Sequence, residues 1–546
     1  MNSSFGEAEK SRLEINNAVF QGLIAKSRSY LKRGQYQNSA LFAKIAAYHA
    51  TWNHNGLFAS YELEQVLHSV AKHTIKTGDS STIRNNTDVN SILHIASMVS
   101  GLAGLQHLLQ RWIEYDGRRK HSVVVSEPSW IPVPERLKTL VKTSGGSIEL
   151  VGNIYEGLLS RAQRMRDLAT KADLIILHLQ TEDVAPIIGL SQKTGLPPII
   201  LVNHADHAFW IGMTVIDLIA NLRNSGLELC RERRGIDTKR LFVLPTPIDP
   251  VRRTFSRREA KIRLGLPANA VVILSVARAI KYNPKNGDAF PVVHVPLLKK
   301  YKECYLLVLG PEHNGVWEHA SQETDGRIRA CGLRADTALY YQAADIYVDS
   351  FPMVSVTSLL EAGSFGLPLV SRCPHSTKAA VWCADAPGLD QYLIHCRNVE
   401  EYRKELCCLV EDERYRKELG QNTQSQITKT HAGKYWIEGL ERLYAYVMKV
   451  SGEPAVSFQG SQRNISELDL LTPELLSDGK GIETTFCKYR KVLPLDWQCL
   501  SLVVKYLWNR PIVLSTILFA QITARLPFKR QLKRLFLRVI YNQKNT

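Results

Sequence analysis

Apolar residues in the first eighty positions recur at helical spacing: Leu23, Ile24 and Leu31, then Leu41, Ala43, Ile45 and Ala46, with Gly34-Gln35-Tyr36 between the two groups. A 3.6-residue period on both sides of a glycine turn predicts a helical hairpin. One such hairpin cannot bury its apolar face alone, so it must pack on the rest of the chain or on a partner. Residues 76–90 are polar and rich in Gly, Ser, Thr and Asn, the composition of a linker.

From residue 91 the pattern changes to short apolar runs alternating with amphipathic stretches. Strands are predicted at 92–96, 122–125, 148–151, 174–179 and 199–202, with helical patterns such as 106–114 and 158–172 between them. A second series follows at 271–276, 305–309, 346–349 and 367–371. Strands alternating with helices define an α/β class with doubly wound parallel sheets. Between the series runs Pro245-Thr246-Pro247-Ile248-Asp249-Pro250, a stiff connector. Two such halves place a ligand outside the carboxyl ends of their strands, in the cleft between them. The predicted divisions are a helical module over 1–85, Rossmann-like domains over 90–245 and 250–450, and a C-terminal extension over 455–546.

Charge changes the picture at the C-terminus. The 546 residues carry 69 Lys+Arg against 52 Asp+Glu, a formal net charge of +17. From Trp497 to the end there are nine Lys or Arg and no acidic residue. An excess of this kind calls for an anionic partner. The stretch 511–524 is apolar but too short to span a bilayer. On a helix beyond Pro527, Phe528, Leu532, Leu535, Phe536 and Val539 form one stripe flanked by Lys529, Arg530, Lys533 and Arg534. That pattern predicts an anionic membrane surface rather than nucleic acid as partner, because aliphatic residues outnumber the aromatics available for stacking. The ten cysteines show no zinc-type spacing, and the N-terminus has no apolar signal core. Reduced thiols and a cytoplasmic location, peripheral on the membrane, are expected.

The richest segment for chemistry runs from Asp345 to Val370, DIYVDSFPMVSVTSLLEAGSFGLPLV. A strand ends at Asp349 and a helix begins around Ser355, Thr357 and Ser358, residue types that cap helices. The amides at such a start, with the helix dipole, form an anion site suited to a diphosphate. Glu361 lies one turn further on, where a carboxylate accepts hydrogen bonds from ribose hydroxyls. The segment also reads as an ordinary capped strand-loop-helix. Upstream, Asn203-His204-Ala205-Asp206-His207 follows a predicted strand; its His and Asp residues suit sugar binding, proton transfer or, less well at this tight spacing, a metal. Gly101 and Gly104 follow the first strand of the same half, where small residues let backbone approach a phosphate or acceptor.

The segment TSLLEAGSFGLPLV resembles the donor-site signature of GT-B glycosyltransferases of bacterial group 1, family 4. The wider stretch from Asp349 also resembles the donor motif of the O-linked N-acetylglucosamine transferases. Residues 30–47 look like one tetratricopeptide-type unit. Two departures stand out: Met353 occupies the place of a family carboxylate, and Ser355-Val356 that of a Gly-Gly pair.

The resemblance covers about 90–450. It implies two facing Rossmann-like domains and sugar transfer, retaining or inverting, from a nucleoside-diphosphate sugar with no obligatory metal and no cofactor beyond that donor. It further implies that Arg278 and Lys281, in the R-x-x-K after strand 271–276, grip the diphosphate, and that Gly332 lies where the base is contacted. His204 is implied to lie against the donor sugar, with Asp206 or His207 as base or orienter. The expected acceptor is a glycan, a lipid-linked molecule or a protein, in bacterial surface-polysaccharide or lipid-linked glycan synthesis. The alternative is a catalytically degenerate shell of this fold that serves as a scaffold.

Overall fold

The computed structural model describes residues 3–78, 88–99, 104–127, 131–151, 157–249, 251, 253–284, 289–451, 463–476 and 481–523. Gly101 and the basic stripe over 528–539 therefore lie outside the described residues.

Thirteen strands form two parallel sheets among these residues. The first holds β1 (Ser91–Ala96), β2 (Lys120–Val125), β3 (Ile148–Leu150), β4 (Leu174–His178), β5 (Ile199–Asn203), β6 (Leu218–Asn221) and β7 (Leu241–Val243), in the order β3-β2-β1-β4-β5-β6-β7. The second holds β8 (Val271–Val276), β9 (Cys304–Leu309), β10 (Ile328–Ala330), β11 (Ile346–Val348), β12 (Leu369–Arg372) and β13 (Leu393–Cys396), in the order β10-β9-β8-β11-β12-β13. The interior strands β4 and β5 are buried along their whole length. Helices on both faces demand continuous apolar runs of that kind. Each sheet reverses its strand order once, between β1 and β4 and between β8 and β11, which fixes where a ligand can enter.

Helix Gly433–Val450 follows the second sheet but packs on the first. Its Trp436, Leu440, Leu443, Tyr444 and Val447 join a cluster with Trp112, Leu218 and Ala220. Trp112 Nε1 donates to Tyr444 Oη at 2.7 Å, and Arg119 forms an ion pair with Glu441 at 2.7 Å. Trp436 Nε1 donates to the Pro245 carbonyl, so the proline connector is held from both sides.

The N-terminal hairpin is present as helices Ser3–Lys32 and Tyr36–Trp52, turned at Gly34 with φ +70°, and is followed by helix Tyr61–Thr74. The partner its apolar face requires is the chain itself. Phe20, Leu23 and Ile45 share one core with Leu177 and Ile187 of the first domain and with Phe486, Val503 and Leu507 of the C-terminal helices. Tyr30 Oη donates to Asp496 at 2.8 Å, fastening one end of the chain to the other.

Helix Glu467–Leu476 ties three parts together. Asp469, fully buried, accepts from both Arg233 terminal nitrogens at 2.8 and 2.9 Å and pairs with His54 Nε2 at 2.9 Å. Thr472 accepts from Trp382 Nε1 of the second domain at 3.3 Å. Two of the ten cysteines depart from the reduced state expected of them. The loop after β12 folds back through the turn Thr377–Trp382, bringing the Cα atoms of Cys373 and Cys383 to 5.3 Å, and these two are joined as a disulfide; the other eight are free.

Candidate functional site

The loops after β8 and β11 meet at the switch point of the second sheet. Asp349, the first residue past β11, is buried. It accepts from the amides of Ser350 at 2.8 Å and Ser355 at 2.9 Å. Burial pushes its carboxyl up to about 6, against the pull of those amides and of Lys281. Ser355 is the N-cap residue of helix Val356–Ser364 but makes no side-chain cap; its hydroxyl turns to Ser358 Oγ at 3.2 Å. The first-turn amides of Val356, Thr357 and Ser358 are thus left for another acceptor.

Lys281 sits in the turn Ala279–Tyr282 and donates from Nζ to the Val354 carbonyl at 2.7 Å, one residue before the helix cap. Burial holds its ammonium down to about 8, helped by Arg278 and Arg223 and opposed by Asp349. Arg278 caps the same turn and is exposed. The neighbouring loops are closed by two glycines in conformations that most residues avoid. Gly310 has φ +118°, and a Cβ there would lie 1.8 Å from the Ala277 carbonyl oxygen. Its amide donates to the carbonyl of Gly332, whose own φ is +66°.

Glu361 closes the site from the helix. Tyr341 Oη donates to its Oε2 at 3.4 Å, and Arg111 Nη2 stands 3.6 Å from its Oε1. Burial raises the Glu361 carboxyl while Arg111 pulls it down. Arg111 belongs to helix Gly104–Tyr115 of the first domain; it also pairs with Asp249 at 3.0 Å and donates to the Pro247 carbonyl. At the start of that helix, a Cβ on Gly104 would lie 3.7 Å from Thr357 Oγ1. The first turns of the two helices therefore face one another across the cleft.

His204 directly follows β5 at the carboxyl edge of the first sheet. Its amide donates to the Val202 carbonyl, and its ring borders a crevice with Gln180, Thr181, Asn203 and Trp210. Burial lowers its imidazole to about 4, so the ring is neutral at physiological pH. Asp206 is committed elsewhere. Arg223 Nε and Nη2 donate to its two oxygens at 2.6 and 2.9 Å, and His207 Nδ1 lies 3.1 Å from one of them. This charge pairing holds the Asp206 carboxyl far below the usual range despite its burial. Arg223 continues into the second domain, donating to the carbonyls of Val381 and Cys383 and to Asp385 at 3.0 Å. The His207 ring packs on Trp382 with centroids 4.9 Å apart.

Arg278, Lys281, Gly332, Ser355, Thr357, Ser358 and Glu361 thus all lie at the carboxyl edge of the second sheet, with Gly104 opposite. Asp206 and His207 lie on another stretch of the domain interface. Among the described residues no hydrogen bond or ion pair joins His204 to Lys281 or Glu361, and no three His, Cys, Asp or Glu side chains converge as a metal-binding group. Sequence reasoning passed over Arg111, Asp249, Tyr341 and the Arg223–Asp385 pair. A buried-looking arginine in an apolar helix, as in LLQRWIEY, is the signal that marks Arg111.

Two facing, doubly wound parallel sheets, with helix Gly433–Val450 crossing back from the second to the first, are the GT-B architecture. A glycosyltransferase from Rickettsia africae superposes with a TM-score of 0.50 over 66% of this chain and 99% of its own, at 12% identity. HepE of Anabaena, solved with UDP and glucose, gives 0.48 over 67% and 100% at 15% identity. The O-GlcNAc transferase of Thermobaculum terrenum gives 0.46 over 80% and 82% at 14% identity. No protein-family model and no curated protein matches the sequence.

Proposed function

We propose that the protein is a glycosyltransferase that moves a sugar from a nucleoside-diphosphate sugar to an acceptor hydroxyl. The observation that carries this is the convergence of Lys281 with the open first turn of helix Val356–Ser364, one helical turn from the half-buried carboxyl of Glu361. Two adjacent phosphates need a cation and backbone donors, and a ribose needs a carboxylate about one turn away. Lys281 and Arg278 stabilise the negative charge that grows on the departing diphosphate. Ser355, Thr357 and Ser358 supply hydroxyls to it and Val356, Thr357 and Ser358 supply amides, Glu361 accepts from the ribose, and the Gly310–Gly332 turn flanks the base.

Neutral His204 accepts a hydrogen bond from a sugar or acceptor hydroxyl, and Asp206 orients His207 at the domain interface. No cofactor beyond the donor enters this scheme. The acceptor is a glycan, lipid-linked or protein hydroxyl, reached from the side of Gly104, with bacterial surface-polysaccharide assembly at the cytoplasmic membrane face as the setting. The test is a thermal-shift screen of nucleoside-diphosphate sugars. At least one must raise the melting temperature of the wild type and fail to raise that of Lys281→Ala; no shift with any of them contradicts the reading.

A further inference from the structure

The C-terminal helices present one large apolar face to solvent. In helix Trp497–Leu507 the buried side chains are Cys499, Val503 and Leu507, spaced at i, i+4 and i+8 against the shared core. Trp497, Ser501 and Lys505 project from the other side. Trp508, still in helical conformation as the C-cap, falls in line with them. Eleven residues are three turns plus about 20°, so the two tryptophans share one stripe and stand ~16 Å apart along the axis.

Trp497 is 82% exposed and Trp508 72%, and the next helix, Pro511–Thr523, opens with Ile512 at 80%. Val492 and Leu495 are exposed on the turn before Trp497. The stripe is not a loose end. Asp496 caps its helix by accepting from the Cys499 amide at 2.8 Å and holds Tyr30 of the N-terminal module. Packing on the opposite side fixes the tryptophans outward.

A rigid pair of exposed indoles with a lysine between them matches the depth of a lipid headgroup layer, where an aromatic ring lies in the acyl boundary while its N–H stays wet. Charge selects the kind of bilayer: the sequence from Trp497 to the end holds nine Lys or Arg and no Asp or Glu, and of the described cations Arg510 pairs with Glu483 at 2.8 Å while Lys505 lies exposed on the tryptophan side. Length selects the mode. Helix Pro511–Thr523 is 13 residues, ~20 Å, against a hydrocarbon core of ~30 Å, and no described helix is long and apolar enough to cross a membrane.

We propose that the Trp497–Lys505–Trp508–Ile512 face seats in the headgroup layer of an anionic membrane, with Lys505 on the lipid phosphates. No residue of this face belongs to the donor site, so vesicle binding and sugar transfer are measurable separately.

The experiment is co-sedimentation of the full chain with vesicles of phosphatidylcholine alone and of phosphatidylcholine with phosphatidylglycerol. Both are read at low and raised salt, for the wild type and for Trp497→Ser/Trp508→Ser. The wild type is expected to pellet with the anionic vesicles at low salt, less at raised salt, and poorly with the neutral ones. The double variant, whose changes touch no buried group, is expected to melt as the wild type does and to partition roughly tenfold or more weakly. Three results overturn the proposal: no pelleting with anionic vesicles at low salt, equal partition of the double variant, or retention on single-stranded RNA without vesicle binding. A variant that melts lower is replaced by Trp508→Ser alone, for which equal partition again counts against the proposal.

Discussion

Arg111 Nη2 of the first domain lies 3.6 Å from Glu361 Oε1 of the second, and the same guanidinium holds Asp249 of the connector at 3.0 Å. One cation thus links the two halves at the carboxylate assigned to the ribose. Burial raises the Glu361 carboxyl and Arg111 opposes that rise. Removing Arg111 therefore leaves Glu361 protonated to a higher pH. In Arg111→Ala the acid limb of the kcat/KM profile is expected to move upward relative to wild type. An unmoved limb means that Arg111 does not govern the charge of Glu361.

Lys281 is held down to about 8. Its ammonium is lost as pH rises through that value, and its attraction for a diphosphate goes with it. Donor affinity in the wild type is expected to fall between roughly pH 7 and 9. Lys281→Arg, always charged, is expected to flatten that fall even if its affinity is lower throughout. Isothermal titration with the best donor across this range reads both curves; parallel curves count against the assignment.

His204→Ala is expected to lower kcat by about a hundredfold or more while changing donor affinity little, as befits a group acting on a hydroxyl proton. Exhaustive chelation of the wild type is expected to leave activity intact. Inactivation by the chelator with recovery on adding zinc would move His204 to a metal role instead.

Arg223 is a stability residue in this account. Arg223→Ala strands the buried carboxylate of Asp206 and is expected to cost about 3–5 kcal/mol. The wild-type pair also carries a pH signature. Asp206 has a folded pKa depressed below its unfolded value of roughly 4, so its contribution is full above that pH and is lost as pH falls further. Urea midpoints at neutral pH and in acid check both statements; a neutral-pH midpoint unchanged in Arg223→Ala contradicts the first.

Much of the fold is legible in the sequence. Runs such as Val271–Val276 and Ile199–Asn203 are long, apolar and bounded by turn residues, because interior parallel strands bury both faces. The strands at Leu218–Asn221, Ile328–Ala330 and Leu393–Cys396 escaped notice because three or four residues hold too little periodicity to stand out. The placement of Lys281, Ser355 and Glu361 at the carboxyl edge of the second sheet was readable because each sits at a short offset from a strand end, which is local information. Arg111, Asp249, Arg223 and Asp385 were not, since their partners are distant in sequence and only the packing of one domain on the other brings them together. The Asp349 carboxylate, which holds the Ser355 amide while the Ser355 hydroxyl leaves the helix uncapped, shows the same limit on a shorter scale.

The central claim is that the edge of the second sheet binds and activates a nucleoside-diphosphate sugar. The most direct measurement is release of free nucleoside diphosphate from a panel of such sugars by wild type, Lys281→Ala and Glu361→Ala, each confirmed folded by its melting curve. Loss of one charge-assisted contact is worth roughly 1.5–3 kcal/mol, so turnover of the best donor is expected to fall about ten- to hundredfold in each variant. Equal turnover by all three proteins, or no turnover of any donor by the wild type, contradicts the account.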